Sequence, residues 1–357
     1  MEPIKPTVPR RRLNRVWHQA VTRWRLLAMI VGLILFGQAV QRMNWTEVGQ
    51  LLSAIDPLSV VAIAACNLIM LPLMSMRWWL ILIMLDTPVN LLRVSFYRTA
   101  AGAVSYLTPG PHFGGEPVSV FLLNVHHRIG LSVGAASVGV DRLLELTVSF
   151  AVLAICIGSL SLALPHVAGS VGAVLAVLAV LALCLTLLVQ LFREKKPFSQ
   201  AMHQLSAFTI PASGFRMKLE RFARFLKDSE DLAAAMFVGH PFRFICAILL
   251  SLAGWVAVFA ELWLISFVLG TPLTLMELAG LTAIARLAFF TPLPAGLGVL
   301  EFGLPWVTAS YGLGGELGFS ICLIIRLRDL ANSLIGGGLL MKHLTCAKKR
   351  SIINNIA

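Results

Sequence analysis

Long apolar runs separated by short polar breaks dominate the chain. Six runs have the length a helix needs to cross a bilayer, about 20 residues at about 1.5 Å each. They are Leu26 to Met43, Pro57 to about Leu85, Leu131 to Leu160, Ser170 to Phe192, Phe242 to Leu269, and Leu317 to Leu340. Asn44 to Asp56 differs, because Trp45, Val48, Leu52 and Ile55 fall at helical spacing among polar residues. That pattern predicts an amphipathic helix at the membrane surface, with Trp45 as its anchor. Two further stretches, roughly Val89 to Asn124 and Leu273 to Tyr311, are apolar at both ends and broken by Pro and Gly. Neither arm is long enough to span, so each predicts a hairpin that enters and leaves on one side. Non-helical backbone at membrane depth survives only where protein or a water-filled cavity covers it, so these loops are expected to line something.

The two broken stretches are alike. Thr108-Pro109 matches Thr291-Pro292, and Glu116 matches Glu301. After the first come Arg142, Glu145 and Ser149; after the second come Arg326, Asp329 and Ser333. Both triplets read Arg, acid at i+3, Ser at i+7, one face of a helix. The architecture expected is all-α and polytopic, with about six full spans plus two re-entrant hairpins in an inverted repeat. The divisions are a basic cytoplasmic arm (1–25), a first span and outer amphipathic helix (26–56), and repeat one (57–160). A connecting span (161–192), a cytoplasmic basic amphipathic segment (193–240), repeat two (241–341) and a cytoplasmic tail (342–357) follow. Inverted repeats with broken helices meeting at mid-membrane are a recurrent transporter plan.

Charge sets the orientation. Residues 1–25 hold Lys5, Arg10, Arg11, Arg12, Arg15, Arg23 and Arg25 against Glu2 alone, and residues 193–243 hold nine Lys/Arg and five Asp/Glu. Both belong inside by the positive-inside rule, as do Lys348, Lys349 and Arg350. Both termini are then cytoplasmic, in a multi-pass protein of the cell (inner) membrane. Phe215, Leu219, Phe222 and Leu226 beside Arg216, Lys218, Arg221, Arg224 and Lys227 read as a basic helix on anionic headgroups of the inner leaflet. Arg77-Trp78-Trp79 reads as an interfacial cation with belt aromatics, and His126, His127 and Arg128 as a solvated inner loop.

Intramembrane charges are the candidate chemistry. Glu116, Arg142, Glu145, Glu301, Arg326, Arg328 and Asp329 form the expected substrate site, with Asp141 and Glu261 also inside spans. Each such charge costs about 2.5–3.5 kcal/mol on insertion scales, so it must be paired or face a cavity. Pairing Arg142 with Glu145 and Arg326 with Asp329 at i, i+3 would neutralise them without any ligand. Their position after two broken loops is what such a structural reading leaves unexplained. The loops offer unpaired backbone groups at Pro109, Gly110, Gly114, Gly115, Pro292, Pro294, Gly296 and Gly298. Half-helix N-termini attract anions, and arginines supply paired donors to phosphate or carboxylate.

Composition narrows the class. The chain has 357 residues, 58% hydrophobic and 13% charged, with a net charge of +12; its mean hydropathy is +0.83. A soluble domain is excluded. The six cysteines form no CxxC pair, so free thiols are expected and no metal site. No nucleic acid, cofactor or catalytic group is expected. There is no GxxxxGK[ST] motif, which argues against ATP as the energy source. A homodimer is left open.

PLPAGLGVLE (292–301) resembles the P-x-P-G-G-x-G-x-x-E signature of the flippase-like family that includes the membrane region of lysylphosphatidylglycerol synthases. LTPGPHFGGEPVSVFLL (107–123) is similar to its other signature, and VDRLLEL (140–146) and the Arg-Trp ending the second span also match. Ala295 stands where Gly is usual in that family, and Ser119 where members often carry Arg. The resemblance implies translocation of a phospholipid or other polar-headed lipid. The soluble aminoacyl-transferase domain that gives those synthases their enzyme activity is not expected to accompany these residues, and no enzyme activity is expected. A hopanoid-associated branch of the family fits the size. Hopanoid or polyisoprenoid lipid transport is therefore an alternative, as is an accessory subunit of a lipid-synthesis enzyme.

Overall fold

A computed structural model describes residues 27, 29–87, 89–108, 114–163, 171–208, 213–291 and 293–356. The basic arm, Pro109, Gly110 and Pro292 lie outside the described residues. All regular structure within them is helical. The order is α1 (Met29–Arg42), α2 (Trp45–Ser53), α3 (Pro57–Met84), α4 (Leu91–Leu107), α5 (Glu116–His127) and α6 (Leu131–Ala163). Then come α7 (Val171–Phe192), α8 (Pro197–Phe208), α9 (Ser213–Gly239), α10 (Pro241–Val268), α11 (Leu275–Phe290), α12 (Val299–Ser310) and α13 (Gly315–Ile356). A 3-10 turn, Pro294–Gly296, joins α11 to α12.

Among the described residues four helices, α3, α6, α7 and α10, are long and apolar enough to cross a membrane, where six runs were expected. The described part of the first run is the shorter helix α1. The last run lies within α13, whose middle carries Arg326, Arg328 and Asp329. That helix is continuous over 42 residues and runs through the expected start of the tail.

Helix starts follow local chemistry. Asp56 accepts from the Leu58 and Ser59 amides ahead of Pro57, and Thr274 with Glu277 forms a capping box. Asn44 caps α2. Trp45 there meets Phe319 of α13 edge-on at 5.5 Å, so it anchors one helix to another as well as presenting an exposed face.

The two predicted broken stretches are both helix–loop–helix. The arms α4 and α11 have 17 and 16 residues, and α5 and α12 have 12 each. The helices preceding them, α3 and α10, each have 28 residues with Pro at the first position. Packing is reciprocal as well. Helix α4 lies along α13, α11 lies along α6, and α3 and α10 pack against each other. One core joins α10, α11, α12 and α13 through Leu262, Leu281, Leu300, Leu304 and Ile321. Another joins α3, α4 and α5 through Trp78, Leu82, Val94, Tyr97 and Leu122. Facing outward, Leu68, Ile155, Leu249 and Val256 are exposed, as expected of surfaces solvated by acyl chains.

The basic segment is a helical pair. Glu230 of α9 accepts from the Phe198 and Ser199 amides at the start of α8. Ala233, Met236 and Phe237 pack onto α6, α7 and α10, while Arg221, Arg224 and Lys227 stay exposed.

Candidate functional site

A cavity of about 440 Å³ lies between the two halves. Helices α3, α4, α5, α6, α10, α11 and α13 all contribute to its wall. Of the expected site residues, Glu116, Arg142, Glu145, Arg328 and Asp329 line it; Glu301 and Arg326 do not. Ser119, Ser149 and Ser333 also line it.

On the α6 side the charges form one mesh. Arg77 of α3 donates to Asp141 at 2.6 Å and to Glu145 at 3.2 Å. Arg98 of α4 meets the same two carboxylates at 2.9 and 3.2 Å. Arg142 reaches Glu145 at 3.3 Å and Glu116 at 3.5 Å. Glu116 in turn accepts from the Gly114 amide at 2.8 Å, tying the first loop to α6. The i, i+3 pair Arg142–Glu145 therefore exists, but as one strand of a mesh drawn from four helices.

On the α13 side the expected Arg326–Asp329 pair is not formed. Arg326 instead meets Glu301 at 2.6 Å and donates to the carbonyls of Ala295 (2.7 Å) and Gly296 (3.3 Å). The three-residue spacing permits the pair, but bent backbone carbonyls in the loop need donors and Arg326 supplies them. Asp329 pairs with its neighbour Arg328 at 2.7 Å, and Arg328 also meets Glu261 of α10 at 2.5 Å. The other Asp329 oxygen is buried without a hydrogen-bond partner. Glu301 accepts from the Gly298 amide at 2.7 Å. Each loop is thus held by the same device: a glutamate caps a loop amide and an arginine of the following long helix holds the glutamate.

The loops come close to other backbone where side chains would not fit. Gly298 has φ 84°, and a Cβ there would strike the Gly32 carbonyl of α1. A Cβ on Gly115 would strike the Ala101 carbonyl of α4. Gly114 and Gly296 are also at positive φ, 147° and 63°. Pro294 begins the turn between α11 and α12.

Two readings change. Arg77 is 6% exposed and Trp78 2%, so neither is an interfacial belt residue. The expectation rested on their place near a run end; acids on α6, far away in sequence, draw Arg77 inward. His126 and His127 end α5 and lie against Tyr97, which they approach at 5.8 Å each; they are not on a loop. Arg98 and Arg286 were not singled out, although each is an arginine inside an apolar half-helix, and that was a readable signal. Arg286 lies over the Trp255 ring at 4.3 Å and lines the cavity.

The family model described as the lysylphosphatidylglycerol synthase TM region matches residues 25–337. The chain belongs to this family. No curated protein and no solved structure matches it. Family membership and the several apolar helices make it a multi-pass membrane protein with a lipid-related role. The matched region includes both loops and every charge in the cavity wall. Among the described residues no group of His, Cys, Asp or Glu is placed to hold a metal ion. Five cysteines there are free.

Proposed function

We propose that this chain carries a polar-headed membrane lipid, such as a phospholipid, between leaflets of the cell inner membrane. What carries the reading is one cavity, charged within, surrounded by helices with apolar outer faces. A lipid headgroup needs a polar path and its tails do not, so the acyl chains can stay in the bilayer while the headgroup crosses. The matched helix lengths, the reciprocal packing and the shared loop device support an inverted repeat. In this reading both termini are cytoplasmic, the first loop enters from inside and the second from outside. Rocking of one half against the other opens the cavity to each leaflet in turn. The protein acts as a secondary transporter and not as an enzyme. A non-transporting accessory role does not call for a charged cavity walled by both halves.

The test is lipid movement in proteoliposomes holding only this purified chain, with fluorescent anionic, zwitterionic and polycyclic lipids compared. Movement of a polar-headed lipid, lost in Arg142→Gln with the protein still monodisperse and folded, is the expected result. No lipid moved by folded wild type, with or without an imposed pH difference, would overturn the reading.

A further inference from the structure

Arg286 differs from the other arginines of the cavity wall. Arg98, Arg142 and Arg328 each meet at least one carboxylate. Arg286 makes no hydrogen bond or ion pair with any described residue; its recorded contact is the face of Trp255, 4.3 Å from the ring centre. The acids whose charge it feels, Glu145, Asp329 and Glu261, are already engaged by Arg77, Arg98, Arg142 and Arg328.

Trp255 is buried, 8% exposed, and does not line the cavity, whereas Arg286 does. The guanidinium thus lies against the ring on one side and borders the cavity. Five donors inside an apolar bundle need acceptors, and leaving them unmade is costly. A planar fork of donors is the standard complement to the two non-ester oxygens of a phosphate.

We propose that Arg286, seated on Trp255, is the phosphate receptor of the cavity and takes the phosphodiester of a lipid headgroup or a free phosphate. The lipid form of this proposal rests on the transport reading; the anion site itself does not.

Trp255 reports on the site directly. The full chain would be purified in a maltoside detergent without phosphate. The contribution of Trp255 to the fluorescence is obtained by difference against Trp255→Phe. Inorganic phosphate, a short-chain phosphatidylglycerol and a short-chain diacylglycerol are then titrated. The expected result is a saturable change with a phosphate-bearing ligand and none with diacylglycerol. Arg286→Gln should abolish the change, and Arg286→Lys should weaken binding about tenfold, since a point charge replaces a fork. A response to phosphatidylglycerol alone assigns a lipid headgroup; an equal response to inorganic phosphate assigns a free anion. No response of wild type to either phosphate ligand overturns the proposal, as does unchanged binding in folded Arg286→Gln. If wild type transports no lipid yet Trp255 responds to phosphate, the transport reading fails and the anion site stands. If wild type transports lipid and Arg286→Gln transports and binds equally well, the reverse holds.

Discussion

Ala295 shows what a single backbone angle decides. It sits at φ 55° and ψ 13°, the left-handed region, in the turn between α11 and α12. An L-residue with a Cβ is strained there by about 1–2 kcal/mol, which glycine avoids. Glycine at this place in the resembled signature has that physical reason. Ala295→Gly should raise stability by about 0.5–1 kcal/mol once the greater freedom of the unfolded chain is counted; a thermal shift in detergent reads it, and a fall in Tm would contradict the strain. Arg77 is the opposite case, a residue whose role no local pattern reveals. It is a buried partner of both Asp141 and Glu145. Arg77→Met leaves those acids to Arg98 and Arg142 alone, and breaking one side of a buried pair costs about 3–5 kcal/mol. Poor recovery of folded protein is the expected outcome, and near-normal Tm would show that Arg98 suffices.

At the scale of elements, helix ends and close approaches carry the predictions. Asp56 caps α3, and the Ser59 hydroxyl beside it, then the local amides, hold its carboxyl below the ordinary aspartate range. A carboxyl with a lowered folded pKa stabilises above its unfolded value, and that contribution is lost as pH falls through the folded one. Amide protection in the first turn of α3, after correction for the intrinsic pH dependence of exchange, should therefore fall in acid below the ordinary aspartate range, and Asp56→Asn should remove that dependence. The second loop makes a sterner demand. Gly298→Ala would drive a methyl into the Gly32 carbonyl of α1 at a positive φ. Loss of stability of about 2 kcal/mol or more is expected from strain and overpacking together; an unchanged Tm would mean that α1 is free to move away.

For the whole molecule, the two matched seams matter most: α4 along α13 and α11 along α6. Each joins a hairpin arm of one half to the long helix of the other, so the rocking proposed above would have to be accommodated there. Gly336 sits in the first seam, where a Cβ would meet the Thr99 carbonyl; Gly337 and Gly338 have nothing within 4 Å. Gly336→Leu should force the seam apart, lowering Tm and stopping lipid movement, while Gly337→Leu leaves both near normal. Equal effects of the two substitutions would deny the seam any special role.

Periodicity and punctuation alone determined that the chain is helical and membrane-embedded, and where its two broken stretches lie. Clustered Pro and Gly break a helix locally, as in the two loops, whereas the lone Pro72 and Pro305 are carried within α3 and α12; apolar run length is likewise a local property. The paired triplets Arg142-Glu145-Ser149 and Arg326-Asp329-Ser333 likewise marked the long helices that bear the charges. The partners were decided only by the tertiary structure. Arg326 turned from Asp329 to Glu301 and the loop carbonyls, Arg77 was drawn inward by acids 64 and 68 positions away, and Arg286 was set on Trp255. Ion pairs in an apolar bundle form between whichever helices packing brings together. Many side chains compete for the same few partners, and no spacing along one helix can show which of them wins.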